Sequence, residues 1–224
     1  LVRIVGFVGP EEDSGAAAVL AAASASAEVD MIIENGSPWP DFDHGSIDWR
    51  ARLSGAHWLA LSSSTILESD SARSAQGAGM TFAEFEGARV IMVVDMPADE
   101  ERLAEAWGHV IERIRQIHIL FLSTEVLPRI AALEGMAPGD LQHQIRLRGM
   151  VPQVCTFDAD SKTLRVEHAL GSISGRASAE SEAEGIARYI CKPASYTPLT
   201  LPTTLRVAAD LVHRLLIKII TIID

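Results

Sequence analysis

Cysteine is nearly absent from this chain. Cys155 and Cys191 are the two among 224 residues, and neither lies in a C-x-x-C or zinc-type spacing. That excludes a disulfide scaffold and a cysteine-based zinc module, and it predicts reduced thiols in a cytoplasmic protein. Positive charge is also scarce: 19 Lys and Arg stand against 30 Asp and Glu, for a net charge of −11. Phosphate backbones and anionic lipid need a basic surface, so nucleic acid and membrane are not expected partners. Long apolar runs are missing too. The stretch LVHRLLIKIITII near the C-terminus is broken by His213, Arg214 and Lys218, short of the ~20 apolar residues that cross a bilayer. LVRIVGFVGP at the start carries no secretory pattern. The histidines show no HExxH or H-x-H spacing, so no metal site is expected.

What is present is an α/β pattern. Ala88–Gly135 reads strand, loop, helix, strand, helix. Val90–Val94 (VIMVV) is an apolar run ending at Asp95, and Ile117–Leu122 (IHILFL) is a second run ending at Ser123-Thr124-Glu125. Between them Leu103, Ala106, Val110, Ile114 and Ile117 recur at helical spacing, predicting a helix over about 99–117. Fully apolar strands need cover on both faces. The expected fold is therefore a three-layer α/β/α sandwich with a mostly parallel sheet, and polar strand ends mark its ligand edge.

Further elements follow the same logic. Strands are expected at Val2–Val8, Val29–Ile33, Ala56–Ser62, Val151–Phe157 and Thr163–His168, the last two as a hairpin. Helices are expected at Ala16–Ala27, Ile47–Leu53, within 67–87, and at Ala137–Gly149. Trp39, Trp49 and Trp58 are expected in the core, the other reading being that they pack a substrate loop. Residues 171–188 are rich in Gly, Ser, Ala and Glu and read as a linker or weak helix. Residues 1–170 thus form the expected core, and 171–224 a linker with an atypical tail. The run SYTPLTLPTT resembles translated sequencing-library adapter, which reads the tail as non-native. A start at Leu1 inside a strand pattern predicts that an N-terminal portion precedes it.

The order of pieces resembles the ribokinase-like (PfkB) carbohydrate kinases, in particular the 2-keto-3-deoxygluconate kinases. VGFVGPEEDSG (5–15) resembles the family's V-G-x-V-G-x-D segment. IDWRARLSGAHWLALSSST (47–65) resembles its D…L-x-G-A-D-W-L-H-L-S-G strand. ARVIMVVDMPADEERL (88–103), HILFLSTEVLPRIAALEG (118–135) and LRGMVPQVCTF (147–157) stand where the family has a D-x-N-x-R strand end, an N-x-x-E strand end and the strand opening the nucleotide region. The resemblance implies ATP-dependent phosphorylation of a sugar or sugar acid with Mg2+, by a soluble cytoplasmic protein, with a homodimer left open.

It also implies site residues. Asp95 takes the substrate-binding position, the other reading being a carboxylate that caps its own loop and helix. Ser123 and Glu125 are the phosphate or metal candidates, the other reading being the opening of a helix. In the D-x-N-x-R pattern Pro97 and Asp99 replace Asn and Arg. In N-x-x-E, Ser123 and Val126 replace Asn and Glu. Asp158-Ala159-Asp160-Ser161 replaces a glycine-rich turn. The family's late G-A-G-D, which supplies phosphate-binding amides and the base, has no counterpart: Gly171, Gly175 and Gly185 are not followed by Asp. No catalytic residue is therefore named, and the chain is expected to be inactive. The alternative is a non-catalytic small-molecule binding or interaction domain.

Overall fold

The structure is a computed structural model of the chain and describes residues 1–9, 15–32, 39, 42–158, 160–177 and 179–191. Its strands are β1 (Val2–Phe7), β2 (Ala27–Met31), β3 (Trp58–Ser62), β4 (Arg89–Val94), β5 (Ile117–Leu122), β6 (Gln153–Asp158), β7 (Thr163–His168) and β8 (Gly171–Arg176). Its helices are α1 (Gly15–Ala23), α2 (Trp49–Leu53), α3 (Asp70–Glu86), α4 (Leu103–Glu112), α5 (Val126–Leu133), α6 (Pro138–Gly149) and α7 (Glu182–Ile190). The strands form one sheet in the order β2-β1-β3-β4-β5-β6-β7-β8. Pairing is parallel from β2 through β6 and antiparallel from β6 to β8.

Strand side chains alternate between two cores. Val5, Phe7, Leu59, Leu61, Val90, Met92, Leu120 and Leu122 point to the face covered by α2–α6. Ile4, Trp58, Ala60, Ile91, Val93, Ile119, Phe121 and Cys155 point to the face covered by α1 and α7. This is the three-layer sandwich that the apolar runs demand. Trp39, Trp49 and Trp58 are all buried. The long helix expected over 99–117 is divided: 3-10 turns at Glu100–Arg102 and Ile114–Gln116 flank α4, and Ile117 already belongs to β5. Among the described residues no helix is long and apolar enough to cross a membrane.

Of the linker or weak helix expected over 171–188, the helix is present, as most of α7, and the linker is corrected: the stretch also contains β8, and both elements are integral to the fold. β8 buries Ile173 on one side and leaves Ser172 and Ser174 exposed, as the outer strand of an antiparallel edge can. α7 buries Gly185, Ile186, Ala187, Tyr189 and Ile190 against the second face. Small residues hid both elements, because a helix packed close against another layer needs little bulk. The tail from 192 onward, including His213 and the apolar run, lies outside the described residues.

Close approach is explicit at Gly79, where α3 meets α2. A Cβ there would lie 2.6 Å from Trp49 Cη2, so the indole occupies the space a side chain needs. Gly79→Ala should therefore cost about 1–3 kcal/mol, read as a lowered midpoint in denaturant unfolding.

At the opposite, N-terminal end of the strands, the register shifts between Val90 and Ile91. There the Val90 N–H is accepted by His118 Nδ1 at 3.2 Å. Burial and then the neighbouring Arg89 charge lower the His118 pKa. The unfolded chain therefore protonates first, near pH 6.5, and this contribution to stability falls as pH drops below that value until the folded ring titrates too. The difference in melting temperature between the wild type and His118→Asn should shrink from pH 7.5 to pH 5. A constant difference would refute the assignment.

Candidate functional site

The parallel strands all end on one edge of the sheet, and the N-termini of α1 and α7 arrive at the same edge on the same face. Because β2 and β3 flank β1 on opposite sides, strand order reverses here, and such a switch point is where open α/β sheets place ligands.

Asp95 follows β4 directly and is 6% exposed. Its Oδ2 accepts the Gly15 N–H at 2.8 Å, the Ser64 hydroxyl at 3.0 Å and the Ser62 hydroxyl in a shorter contact. Its Oδ1 accepts the Ser63 hydroxyl at 3.1 Å and the Ser64 N–H at 3.2 Å. The Asp95 N–H in turn donates to Ser63 Oγ at 3.2 Å. Five donors thus converge on one carboxylate, whose two oxygens offer about four lone-pair sites. A sugar hydroxyl would have to displace one of them. The reading as a cap is corrected in its partner: the carboxylate caps α1, the helix that follows β1, and not the helix that follows its own strand.

Ser123 and Glu125 follow the neighbouring strand, β5, and the Ser123 N–H donates to the Val94 carbonyl at 3.1 Å. Ser123 opens α5: its carbonyl accepts the Leu127 N–H at 3.0 Å, and its hydroxyl lies 3.4 Å from the Val126 nitrogen. Glu125 is exposed and makes no side-chain bond to the first turn of α5. Asp158 closes its turn by accepting the N–H groups of Asp160 and Ser161 at 3.0 and 3.1 Å. The edge therefore carries two separate polar groups, one around Asp95 and one around Thr124.

The second group contains the residue that the sequence reading missed, Glu182, in the first turn of α7. Its Oε1 accepts the Thr124 N–H at 3.1 Å, while Thr124 Oγ1 donates to the Phe157 carbonyl at 2.6 Å. Burial raises the Glu182 pKa to about 7; the Thr124 N–H opposes that shift and the Glu125 charge adds to it. The available signal was Ser181-x-x-Glu184, a capping-box pattern that marks a helix start. In the structure Ser181 Oγ accepts the Glu184 N–H at 3.2 Å, and Glu184 Oε2 accepts the Glu180 N–H at 2.8 Å. Lys162 and Arg188, the nearby cations, are paired with Glu180 and Glu184. A phosphate held at this helix end would need open amides. Here the Glu184 amide is taken internally, Glu180 and Glu184 hold the two cations, and Glu125 places its charge beside Glu182. These residues do not fit a nucleotide triphosphate. Among the described residues no group of three or more His, Cys, Asp or Glu is arranged to hold a metal ion.

No protein-family model matches the chain, and no curated protein matches its sequence significantly. Solved structures do match its fold. A fructokinase from Xylella fastidiosa with bound ATP superposes with a TM-score of 0.66 at 15% identity, covering 99% of this chain and 88% of that one. A ribokinase II from E. coli in complex with ATP and Mg2+ gives 0.65 at 9% identity, covering 85% of each chain. A 2-dehydro-3-deoxygluconokinase from Thermotoga maritima gives 0.58 at 12% identity, covering 96% and 98%. The chain has a ribokinase-like α/β fold.

Glu182 gives a pH test. A carboxyl that titrates near 7 when folded and near 4.5 when unfolded stabilises fully below the lower value and loses that contribution as pH rises through the higher one. The loss is on the order of 3 kcal/mol at most. Glu182→Gln, which keeps an acceptor for Thr124, should match the wild type at pH 4.5 and melt higher at pH 8. Equal melting at both pH values would refute the shift.

Proposed function

We propose that this chain descends from ATP-dependent kinases of sugars or sugar acids and does not itself transfer phosphate. The observation that carries this reading is the self-capped, acidic N-terminus of α7. Phosphoryl transfer is mostly positioning and charge neutralisation. At this helix end the Glu184 amide is already bonded, Lys162 and Arg188 are taken up by Glu180 and Glu184, and the Glu125 charge opposes a polyphosphate. ATP and Mg2+ belong to the lineage in this reading and not to the chain. Asp95 enters it as the anchor of the ligand edge, Ser123 as the opening of α5, and Glu125 as part of the repelling charge. The protein works in the cytoplasm.

The second reading, a non-catalytic small-molecule binding domain, is supported by the switch point between β1 and β3 at this edge. ADP release in the presence of ATP, Mg2+ and either 2-keto-3-deoxygluconate, ribose or fructose should not exceed the protein-free blank. Turnover proportional to protein concentration and abolished by Glu182→Ala would overturn the proposal. Saturable heat of sugar binding without nucleotide binding would select the second reading.

A further inference from the structure

The donors around Asp95 are more numerous than a helix cap requires. One backbone N–H from α1, one from the turn after β3 and three serine hydroxyls all aim at a single buried carboxylate. Its partners among the described residues are all neutral. An anion held only by neutral donors, with no cation beside it, is how protein cradles bind small oxyanions: each oriented dipole supplies a fraction of the counter-charge. The backbone is shaped for this occupant. A Cβ at Gly15 would sit 3.2 Å from Asp95 Cβ and 3.4 Å from Val93 Cγ1, so glycine lets the first amide of α1 reach the carboxylate. Ser62, Ser63 and Ser64 are at most 5% exposed, so their hydroxyls have no bulk water to turn to.

We propose that Gly15 and Ser62–Ser64 form an anion cradle whose ligand is the chain's own Asp95, tethered at the end of β4. Asp95 is then a positioning residue. It pulls the N-terminus of α1 onto the ends of β3 and β4, and so fixes one wall of the switch-point edge. This goes beyond the kinase-lineage reading and does not depend on it. The chemical class that the cradle accepts is a small carboxylate or a similar oxyanion. Removing the tethered carboxylate leaves a cradle that a free one can refill.

The test is thermal unfolding of the full chain carrying Asp95→Ala, titrated with sodium formate against sodium chloride at equal ionic strength. The variant should melt about 5 °C or more below the wild type. Formate should restore part of that loss saturably, chloride should not, and the wild type should respond to both salts alike. Adding Ser62→Ala and Ser64→Ala to Asp95→Ala should abolish the formate response. Asp95→Ala melting like the wild type, or responding equally to both salts, would overturn the cradle. If Asp95→Ala does not accumulate folded, Asp95→Asn serves. Its amide fills the space and turns a donor toward the serines, so it should melt low and ignore formate; wild-type melting would overturn the proposal. ADP production by the wild type would sink the lineage reading and leave this result untouched.

Discussion

Parallel strands buried on both faces must lie between two layers of helices, and most of this molecule follows from that constraint. Their backbone groups pair within the sheet, but their side chains reach water on neither side. One face receives five helices, α2 to α6. Among the described residues the other receives two, α1 and α7. The second face is the economical one. Alanine in α1 and glycine in α7 let both helices sit close to the sheet, at the expense of apolar bulk. Among the described residues the helices on that face are α1 and α7, so what holds their starts matters disproportionately. Those starts are where Asp95 and Glu182 lie.

The two carboxylates solve similar problems with different electrostatics. Asp95 is buried among five neutral donors that share its charge. Glu182 has the Thr124 N–H and the unfavourable neighbour Glu125, so burial holds its proton to near neutral pH. A carboxylate well supplied with donors anchors structure. One that is poorly supplied becomes sensitive to pH. The ribokinase-like fold thus carries a strand-end edge whose polar groups bond chiefly to one another.

Much of the fold was legible in the residue pattern. VIMVV and IHILFL announce strands covered on both sides, and Leu103, Ala106 and Val110 announce the helix between them. The missing parts share one physical cause. β8 and the start of α7 lie in a stretch rich in Ser, Gly, Ala and Glu, and the burial of Ile173, Ile186, Tyr189 and Ile190 depends on other elements: β7 for the strand, α1 for the helix. Of the site, Asp95 was visible as a polar strand end. Its partners were not, because Gly15 and Ser62–Ser64 lie 80 and about 32 positions away.

The sequence by itself determined the sandwich class, the mostly parallel sheet and which edge carries the polar groups, since these follow from hydrophobic periodicity and from apolar strands that need cover on both faces. Tertiary structure alone decided what the polar groups do. A carboxylate, a serine or a helix start has the same local sequence whether its hydrogen bonds are open to a ligand or closed within the protein. Only the packing of α1 and α7 over the strand ends closed them.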